Sequence, residues 1–190
     1  MPIKIDPGHP INANLAGWWP MDEGSGTVAN DISGLGNHGA FSGGVSWATS
    51  YINGKNLSFD GVDGQLVMTH NSTLAITGNM TMVVWAKYAA WDWHMFLTKT
   101  NGGNAGPFSA YVNQVRGTIE FHRGNGTVTA YVESTNPGVV NTWYCVVATM
   151  TGTTVQHYLN GATNGSGTLS TTIADYGNAM RLGSRADGFW

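Results

Sequence analysis

The stretch Leu15–Gly39 limits the fold of this chain more than any other segment. It reads LAGWWPMDEGSGTVANDISGLGNHG, with six glycines in 25 residues. Each glycine in a helix interior costs about 1 kcal/mol relative to alanine, so this stretch does not form a helix. We therefore expect a short strand that ends at the tryptophan pair, followed by a long loop of specific shape.

Carboxylates in two loops are candidate ligands for a cation. Asp22, Glu23 and Asp31 lie within the glycine-rich stretch, and Asp60 and Asp63 flank a turn further along the chain. Calcium takes about six to eight hard oxygen ligands of this kind. The alternative is that these side chains accept hydrogen bonds from the amides of their own turns. The pattern fits both roles, so calcium is predicted as a candidate cofactor.

The composition favours one domain with a weakly charged surface. The 190 residues are 42% hydrophobic and 10% charged, with a net charge of −3. A chain of this length can bury one sizeable core. The eight lysines and arginines are scattered singly, which argues against nucleic acid as a partner. No apolar run approaches the roughly 20 residues of a membrane span.

The amino-terminal residues have a different composition from the rest. The first 14 residues contain three prolines and no hydrophobic period. We expect residues 1–14 to form an extended arm and residues 15–190 to form the domain. Because the arm lacks the apolar stretch of a signal peptide, we expect no export by the general secretory route.

Short strands separated by glycine and asparagine turns are predicted along the chain. Ile119 and Phe121 share one face of a strand while Glu120 and His122 share the other, as in a half-buried strand. Asn160-Gly161 is a strong hairpin signal. The pattern predicts an all-β fold, a two-sheet antiparallel β-sandwich of the jelly-roll type. The predicted strands are Gly43–Trp47, Asn56–Phe59, Gln65–Met68, Met80–Tyr88, His94–Thr98, Phe108–Asn113, Thr118–Arg123, Thr127–Glu133, Thr142–Met150, Thr154–Leu159 and Ala179–Leu182.

Five motifs occur in the order and spacing of one family. They are WWPMDEGSGT in the opening stretch, LSFDGVDGQLV at Leu57–Val67, MTMVVWAK at Met80–Lys87, WYCVVATMTG at Trp143–Gly152 and VQHYLNG at Val155–Gly161. Together they resemble the laminin-G-like, concanavalin A-like lectin/glucanase domains over about Leu15–Gly183. The resemblance implies a jelly roll, with Trp18, Trp85 and Trp143 at core positions.

Domains of this type usually end in a further strand that pairs with the first one. This chain stops at Trp190 without that strand, so the resemblance implies an open sheet edge. Soluble proteins normally cover or blunt such an edge. Three explanations are open: the sequence is a fragment, the arm of residues 1–14 covers the edge, or a second subunit covers it, which makes a homo-oligomer a candidate state.

The sequence shows no pair of carboxylates at a spacing that would bring them together as the acid and base of a hydrolase. The hydrolases of this fold use two carboxylates roughly 5 to 5.5 Å apart. Glu120 and Glu133 each stand alone in a predicted strand, so we predict no enzymatic activity, with a glycoside hydrolase as the alternative. His157 takes the place of an apolar family residue and is expected to be a buried, hydrogen-bonded histidine. Cys145 is expected to be a buried thiol.

Aromatic residues provide a candidate carbohydrate-binding site. Trp91, Asp92 and Trp93 form a predicted loop whose large rings cannot all be buried. Sugars stack their C–H faces on aromatic rings and bond their hydroxyls to neighbouring polar groups. We predict a glycan site from these three residues and Tyr131. The alternative is that the rings fill the core or an interface.

The predicted function is a non-catalytic module that is displayed on a surface and acts by recognition or assembly. The proline-rich arm, the weak charge and the missing strand suit a phage virion decoration or adhesion protein. Its partners would be glycans or other subunits of a viral or cell-surface assembly. Its location would be a virion surface or the extracellular space. A secreted-type carbohydrate-binding module is the alternative.

Overall fold

The computed structural model describes residues 9, 12–49, 54–100, 106–125, 127–169 and 172–184. These residues form fourteen strands and a 3-10 turn, Ser72–Leu74. No helix among them has the length and apolarity needed to cross a bilayer. The strands are β1 Val28–Ala29, β2 Gly39–Ser42, β3 Val45–Ala48, β4 Asn56–Phe59, β5 Gln65–Met68, β6 Met80–Ala86, β7 Met95–Lys99, β8 Phe108–Val112, β9 Ile119–Gly124, β10 Thr129–Glu133, β11 Tyr144–Thr151, β12 Thr154–Leu159, β13 Ala162–Thr168 and β14 Met180–Leu182.

The strands are arranged in two main sheets and a small hairpin. An eight-stranded sheet has the order β1-β2-β5-β14-β7-β8-β9-β10, and a four-stranded sheet has the order β13-β12-β11-β6. β3 and β4 pair with each other, and the paired strands run antiparallel. The predicted all-β, two-sheet antiparallel sandwich is confirmed.

The hydrophobic core lies between the two main sheets. Phe108 and Phe121 from the larger sheet pack in one buried cluster with Met82 and Ala148 from the smaller sheet. Burying one phenylalanine side chain stabilises the fold by roughly 1.5–3 kcal/mol. Because every second residue of β9 points into this core, the residues between them are directed to the outer face of the larger sheet.

Two buried polar side chains connect the sheets. His157 of β12 is 1% exposed, and its Nε2 lies 3.0 Å from the carbonyl oxygen of Val132 in β10. Burial lowers the pKa of His157, so the expected buried, hydrogen-bonded histidine is confirmed. The buried guanidinium of Arg123 donates to the carbonyls of Ile76 (2.9 Å) and Gly78 (3.2 Å). Desolvation lowers the pKa of Arg123 to about 10.

The first predicted strand is wrong. Residues 15–20 do not belong to a sheet. The main chain of Trp18 is held instead by the opening loop, because its N–H donates to Asp31 Oδ1 (2.9 Å) and its carbonyl accepts from the N–H of Ile32 (2.9 Å). Conversely, β1, β2 and β13 were not predicted, because these strands are short or consist largely of Gly, Ser and Thr.

The hairpin between β12 and β13 shows why a strand without hydrophobic alternation forms. Asn160 and Gly161 both have positive φ, 51° and 83°, as a tight hairpin turn between twisted strands requires. The turn places Leu159 opposite Ala162 and so starts the ladder of β13. The predicted turn at Asn160-Gly161 is confirmed.

The structure corrects two tryptophan assignments and the cysteine. Trp85 is 54% exposed and Trp18 is 37% exposed, so neither side chain is a core residue. Trp85 pairs with Cys145 on the outer face of the four-stranded sheet, whereas the neighbouring Val146 points into the core. The Cys145 thiol is therefore only partly buried, and desolvation raises its pKa. Trp143 is partly buried.

The sheet borders differ in how they are covered. The end of β10 is joined to β13 of the other sheet, because the main-chain N–H groups of Thr135 and Asn136 donate to Asn164 (both 2.9 Å). β6 pairs only with β11 within the described part of the chain. Apart from residues 9 and 12–14, the expected arm lies outside the described residues, so its role stays a prediction.

Candidate functional site

A polar and aromatic cluster covers the outer face of β8, β9 and β10. Since Phe121 points into the core, Glu120 and His122 of β9 point outward. Across the ladder, Glu120 lies opposite Glu133 of β10, and His122 lies opposite Tyr131. We refer to this group as the sheet-face cluster; its members are Trp93, Tyr111, Asn113, Arg116, Glu120, His122, Tyr131 and Glu133.

Four rings form a continuous row within the cluster. Trp93 meets Tyr111 edge to face, with ring centroids 5.0 Å apart. His122 is stacked between Tyr111 and Tyr131, at centroid distances of 4.7 and 4.8 Å. Tyr111 is 1% exposed, whereas Tyr131 is 50% exposed. The two buried rings, Tyr111 and His122, are therefore flanked by the partly buried Trp93 on one side and by the solvent-exposed Tyr131 on the other.

Glu120 is held by three side chains. Its Oε1 accepts from Asn113 Nδ2 (2.6 Å) and from a terminal nitrogen of Arg116 (3.2 Å), and its Oε2 lies 2.8 Å from His122 Nε2. Burial acts to raise the pKa of Glu120, but the hydrogen bonds from His122, Asn113 and Tyr111 outweigh it. The pKa therefore lies below the ordinary value, and Glu120 is an ionised carboxylate at neutral pH.

Glu133 is the second carboxylate of the cluster. Its Oε1 accepts from Arg116 Nε (2.5 Å) and from the Thr118 hydroxyl. Arg116 thus bridges the two glutamates, and the ion pair with Glu133 raises the pKa of Arg116. The expectation that Glu120 and Glu133 stand alone is wrong, because the register of β9 and β10 makes them cross-strand neighbours.

The contact with Glu120 places a proton on Nε2 of His122. An ionised Glu120 only accepts, so the His122 Nε2 atom that faces it carries the proton. The Tyr111 hydroxyl lies 2.5 Å from the same nitrogen. His122 Nδ1 faces the Thr129 hydroxyl at 3.4 Å. The ring is fixed by stacking on both faces and by polar groups at both nitrogens.

The structure places the four predicted glycan residues in two groups. Trp93 and Tyr131 belong to the same ring row, which Tyr111 and His122 complete. Trp91 lies beside the cluster: its indole packs against the backbone at Gly117, and its Nε1 donates to the carbonyl of Gly138 (3.2 Å). Asp92 is exposed and accepts from the N–H of Trp93 (2.7 Å). The glycan site remains a prediction, with a geometry that centres on Trp93 and Tyr131.

Sequence reasoning missed the polar half of the cluster. Glu120 and His122 were correctly placed on one strand face, but Glu133 and Tyr131 were not identified as their cross-strand neighbours. The missing step was the register of the two strands, which aligns these two pairs side by side. The short connection between β9 and β10 contained the signal, because a tight hairpin of this length fixes the register.

The carboxylates predicted as calcium ligands have protein donors. Asp31 is 5% exposed and accepts from the main chain of Trp18, Ser33 and Asn37 and from the Ser33 hydroxyl, at 2.7–2.9 Å. Burial acts to raise its pKa, but these hydrogen bonds lower it below the ordinary value. Asp31 therefore organises the opening loop, which is the turn-capping role.

In the second acidic loop, Asp60 and Asp63 also accept hydrogen bonds from main-chain N–H groups. Asp60 Oδ1 accepts from the N–H groups of Val62, Asp63 and Gly64, which lowers its pKa. Asp63 accepts from the N–H of Gly44 (2.7 Å).

The remaining candidates do not complete a metal site. Glu23 accepts from both the main chain and the side chain of Asn30 (2.6 and 3.0 Å). Within the described residues, no three His, Cys, Asp or Glu side chains lie close enough to share a metal ion. Glu23, Asp31, Asp60 and Asp63 thus fit loop stabilisation better than calcium binding, whereas Asp22 is partly buried and its role is open; calcium stays a prediction for measurement.

The fold is shared with several solved binding domains. The binding domain of Paraclostridial Mosquitocidal Protein 1 matches with a TM-score of 0.71, at 12% identity, over 94% of this chain and 47% of that chain. The binding domain of botulinum neurotoxin DC in complex with SialylT matches with a TM-score of 0.68, at 14% identity, over 90% of this chain and 44% of that one.

A structure of botulinum neurotoxin type C, whose cell entry depends on two ganglioside molecules, matches with a TM-score of 0.66, at 14% identity, over 90% of this chain and 43% of that chain. This chain therefore spans less than half of the length of these structures, and at these identities the likeness shows the fold alone.

No curated protein matches the sequence. A family profile does match, over residues 59–190, which is more than half of the chain. It covers four of the five motifs in whole or in large part, and the antiparallel sandwich fits it. The chain belongs to the laminin G family of the concanavalin A-like lectin/glucanases superfamily.

Proposed function

We propose that this chain is a non-catalytic carbohydrate-binding domain and that the sheet-face cluster is its binding site. The observation that carries the proposal is the row of rings that ends at the half-exposed Tyr131, on the strand that also bears Glu133. The C–H face of a pyranose stacks on such a ring while its hydroxyls bond to adjacent charged groups.

The cluster is organised before a ligand arrives. Tyr131 rests on His122, which is itself held by Glu120 and Tyr111. Arg116 is fixed by Glu133. Binding then costs little side-chain entropy, since the contacting groups already have their conformation.

The related folds support a binding role by analogy. One neighbouring domain was solved with SialylT, and another belongs to a toxin whose entry depends on gangliosides.

The protonation states of the cluster favour binding over hydrolysis. A glycosidase of the usual kind needs a carboxylic acid with a raised pKa to protonate the leaving group. Glu120 has a lowered pKa and hydrogen bonds at both oxygens, and Glu133 is paired with Arg116. Glu120 is therefore not held as an acid. The absence of reducing-sugar release from β-glucans at high protein concentration is the expected result.

The test compares two exposed aromatic residues on opposite sheets. Tyr131→Ala should weaken retention on soluble polysaccharides in affinity electrophoresis about tenfold, since stacking and apolar contact are lost together. Trp85→Ala, which removes a ring of similar exposure from the four-stranded sheet, should bind as wild type does. Equal binding by Tyr131→Ala, or no binding of wild type to any glycan, would overturn the proposal.

Assembly on a viral or cell surface is a second proposed role. Among the described strands β6 pairs only with β11, and its side chains Val83 and Trp85 are 58% and 54% exposed, which favours this role. An exposed strand with large apolar side chains is a template for association. If the chain assembles through its arm, deletion of residues 1–14 should leave a folded monomer in light scattering; unchanged self-association would contradict that route.

A further inference from the structure

The charges of the sheet-face cluster do not balance. Two carboxylates, Glu120 and Glu133, share one guanidinium, that of Arg116. Asp92 adds a further negative charge beside Trp93. The excess of carboxylates makes the surface around the Tyr131 ring negative.

Among the described lysines and arginines, no other side chain compensates for this excess at close range; His122 faces Glu120 and adds a positive charge only when it is protonated. Arg181 of β14 lies on the same face, because its neighbours Met180 and Leu182 point into the core. β14 is separated from β9 by β7 and β8, so Arg181 stands about 14 Å from β9 at the usual strand spacing. Screening at physiological salt acts over about 8 Å, so Arg181 contributes little at the ring row.

Arg116 itself is not available for an incoming carboxylate in the usual way. Its Nε and one terminal nitrogen already donate to Glu133 and Glu120. Two of the five N–H donors of Arg116, including the one on Nε, are therefore engaged by the protein's own side chains, and its single positive charge already faces two carboxylates.

The cluster does offer an acceptor for hydroxyl groups. Glu133 Oε1 is bonded, but Glu133 Oε2 has no hydrogen-bond partner within the described part of the chain, and the side chain is 26% exposed. Tyr131 and Glu133 are two residues apart on one strand, so their side chains leave the sheet about 6.6 Å apart. One pyranose can lie on the ring and donate a hydroxyl to this carboxylate.

We infer that the sheet-face cluster selects neutral sugars and discriminates against sugars that carry a carboxylate, such as sialic and uronic acids. This inference rests on the proposed carbohydrate-binding function. A carboxylated sugar would bring a third negative charge next to Glu133 without an unoccupied cation to receive it.

The experiment measures the affinity of the same protein for the glycans of two panels. The neutral panel contains β-glucan, galactan, mannan and a galactoside conjugate; the acidic panel contains polygalacturonate, alginate and the sialylated form of the same conjugate. We expect wild type to bind its best neutral glycan at least tenfold more tightly than any acidic one at 25 mM NaCl. At 500 mM NaCl the ratio of neutral to acidic affinity should fall, because salt screens the repulsion between the acidic glycan and the carboxylates.

Two glutamine variants identify the source of the selectivity. Glu133→Gln keeps an oxygen for Arg116 but removes the charge, so the neutral-to-acidic ratio should fall about threefold or more. Glu23→Gln makes the same change in charge in the opening loop and should leave the ratio unchanged. Thermal melting of both variants verifies that they are folded.

The outcomes separate the two levels of the proposal. Equal or tighter binding to the acidic panel overturns the neutral selectivity while leaving carbohydrate binding intact. An unchanged ratio in Glu133→Gln overturns the electrostatic origin. Binding to neither panel overturns the proposed function and the inference together.

Discussion

Asp31 in the opening loop and Glu120 on β9 are both buried carboxylates with lowered pKa, but their partners differ. Most donors to Asp31 are main-chain N–H groups, whereas the donors to Glu120 are side chains. Main-chain donors fix the path of a loop. Side-chain donors fix other side chains, and these are presented to solvent. The chemistry of the partners, rather than burial, thus distinguishes a carboxylate that shapes the fold from one that shapes a surface.

The largest effect is expected for Asp31→Ala. The substitution leaves three N–H groups and one hydroxyl, all partly or fully buried around the carboxylate, without their acceptor. The free energy of unfolding should fall by about 4 kcal/mol, since each buried unsatisfied donor costs about 1 kcal/mol or more. Urea denaturation measures it. A loss below about 1 kcal/mol would show that water replaces the carboxylate and that the loop does not depend on it.

Glu120→Ala should be less costly for stability but should also affect ligand binding. Arg116 is half exposed and can turn to water, so we expect a loss of about 2 kcal/mol. The ring row loses the group that orients His122, and glycan retention should fall with it. Asp31→Asn provides the contrast: if folded, it should bind as wild type does. Full retention by Glu120→Ala would show that Glu120 is as purely structural as Asp31.

The sequence predicted the features that depend on neighbouring residues but not the one that depends on the pairing of two strands. Alternation identified the core face of β9 through Phe121, and local turn chemistry identified Asn160-Gly161, because both are properties of neighbouring residues. The pairing of Glu120 with Glu133 depends on the register of two strands. That register is set by the turn between the strands, and the hydrophobic alternation within either strand does not reveal it.

In the glycine-rich opening stretch, the sequence pattern predicted a strand that the structure does not contain. The pattern predicted a loop correctly but placed a strand at Trp18, where the chain is held by Asp31 instead of a ladder. The exposure of Trp85 was equally hidden, since an apolar residue at an outward position looks like a core residue until the strand is assigned to a sheet. Apolar character alone does not give the direction of a side chain.

Acidification should reduce the stabilisation of the fold by both carboxylates, Asp31 and Glu120. The pKa values of Asp31 and Glu120 are lower in the folded chain than their ordinary values of 3.8 and 4.5. Their stabilisation is therefore complete above these ordinary values and is lost as the pH falls through the lower folded values. In urea titrations from pH 6 to pH 2.5, the stability advantage of wild type over Glu120→Gln should shrink. An advantage that grows on acidification would contradict the sign.

The smallest effect is expected from calcium. A site filled at 100 times its dissociation constant would add about 2.7 kcal/mol. At about 2–4 °C per kcal/mol for a chain of this size, that corresponds to a shift of roughly 5–10 °C in melting temperature. Because Asp31 and Asp60 already accept several hydrogen bonds from the protein, we expect EDTA and 5 mM CaCl₂ to give melting temperatures within about 2 °C.

A shift above about 5 °C that Asp63→Asn abolishes would show that the loop carboxylates do recruit a cation. In that case Asp31, rather than Glu120, would be the carboxylate whose region binds a ligand. The opening loop would then be a ligand site built on carboxylates, and main-chain hydrogen bonds would be the state that the loop adopts without its metal.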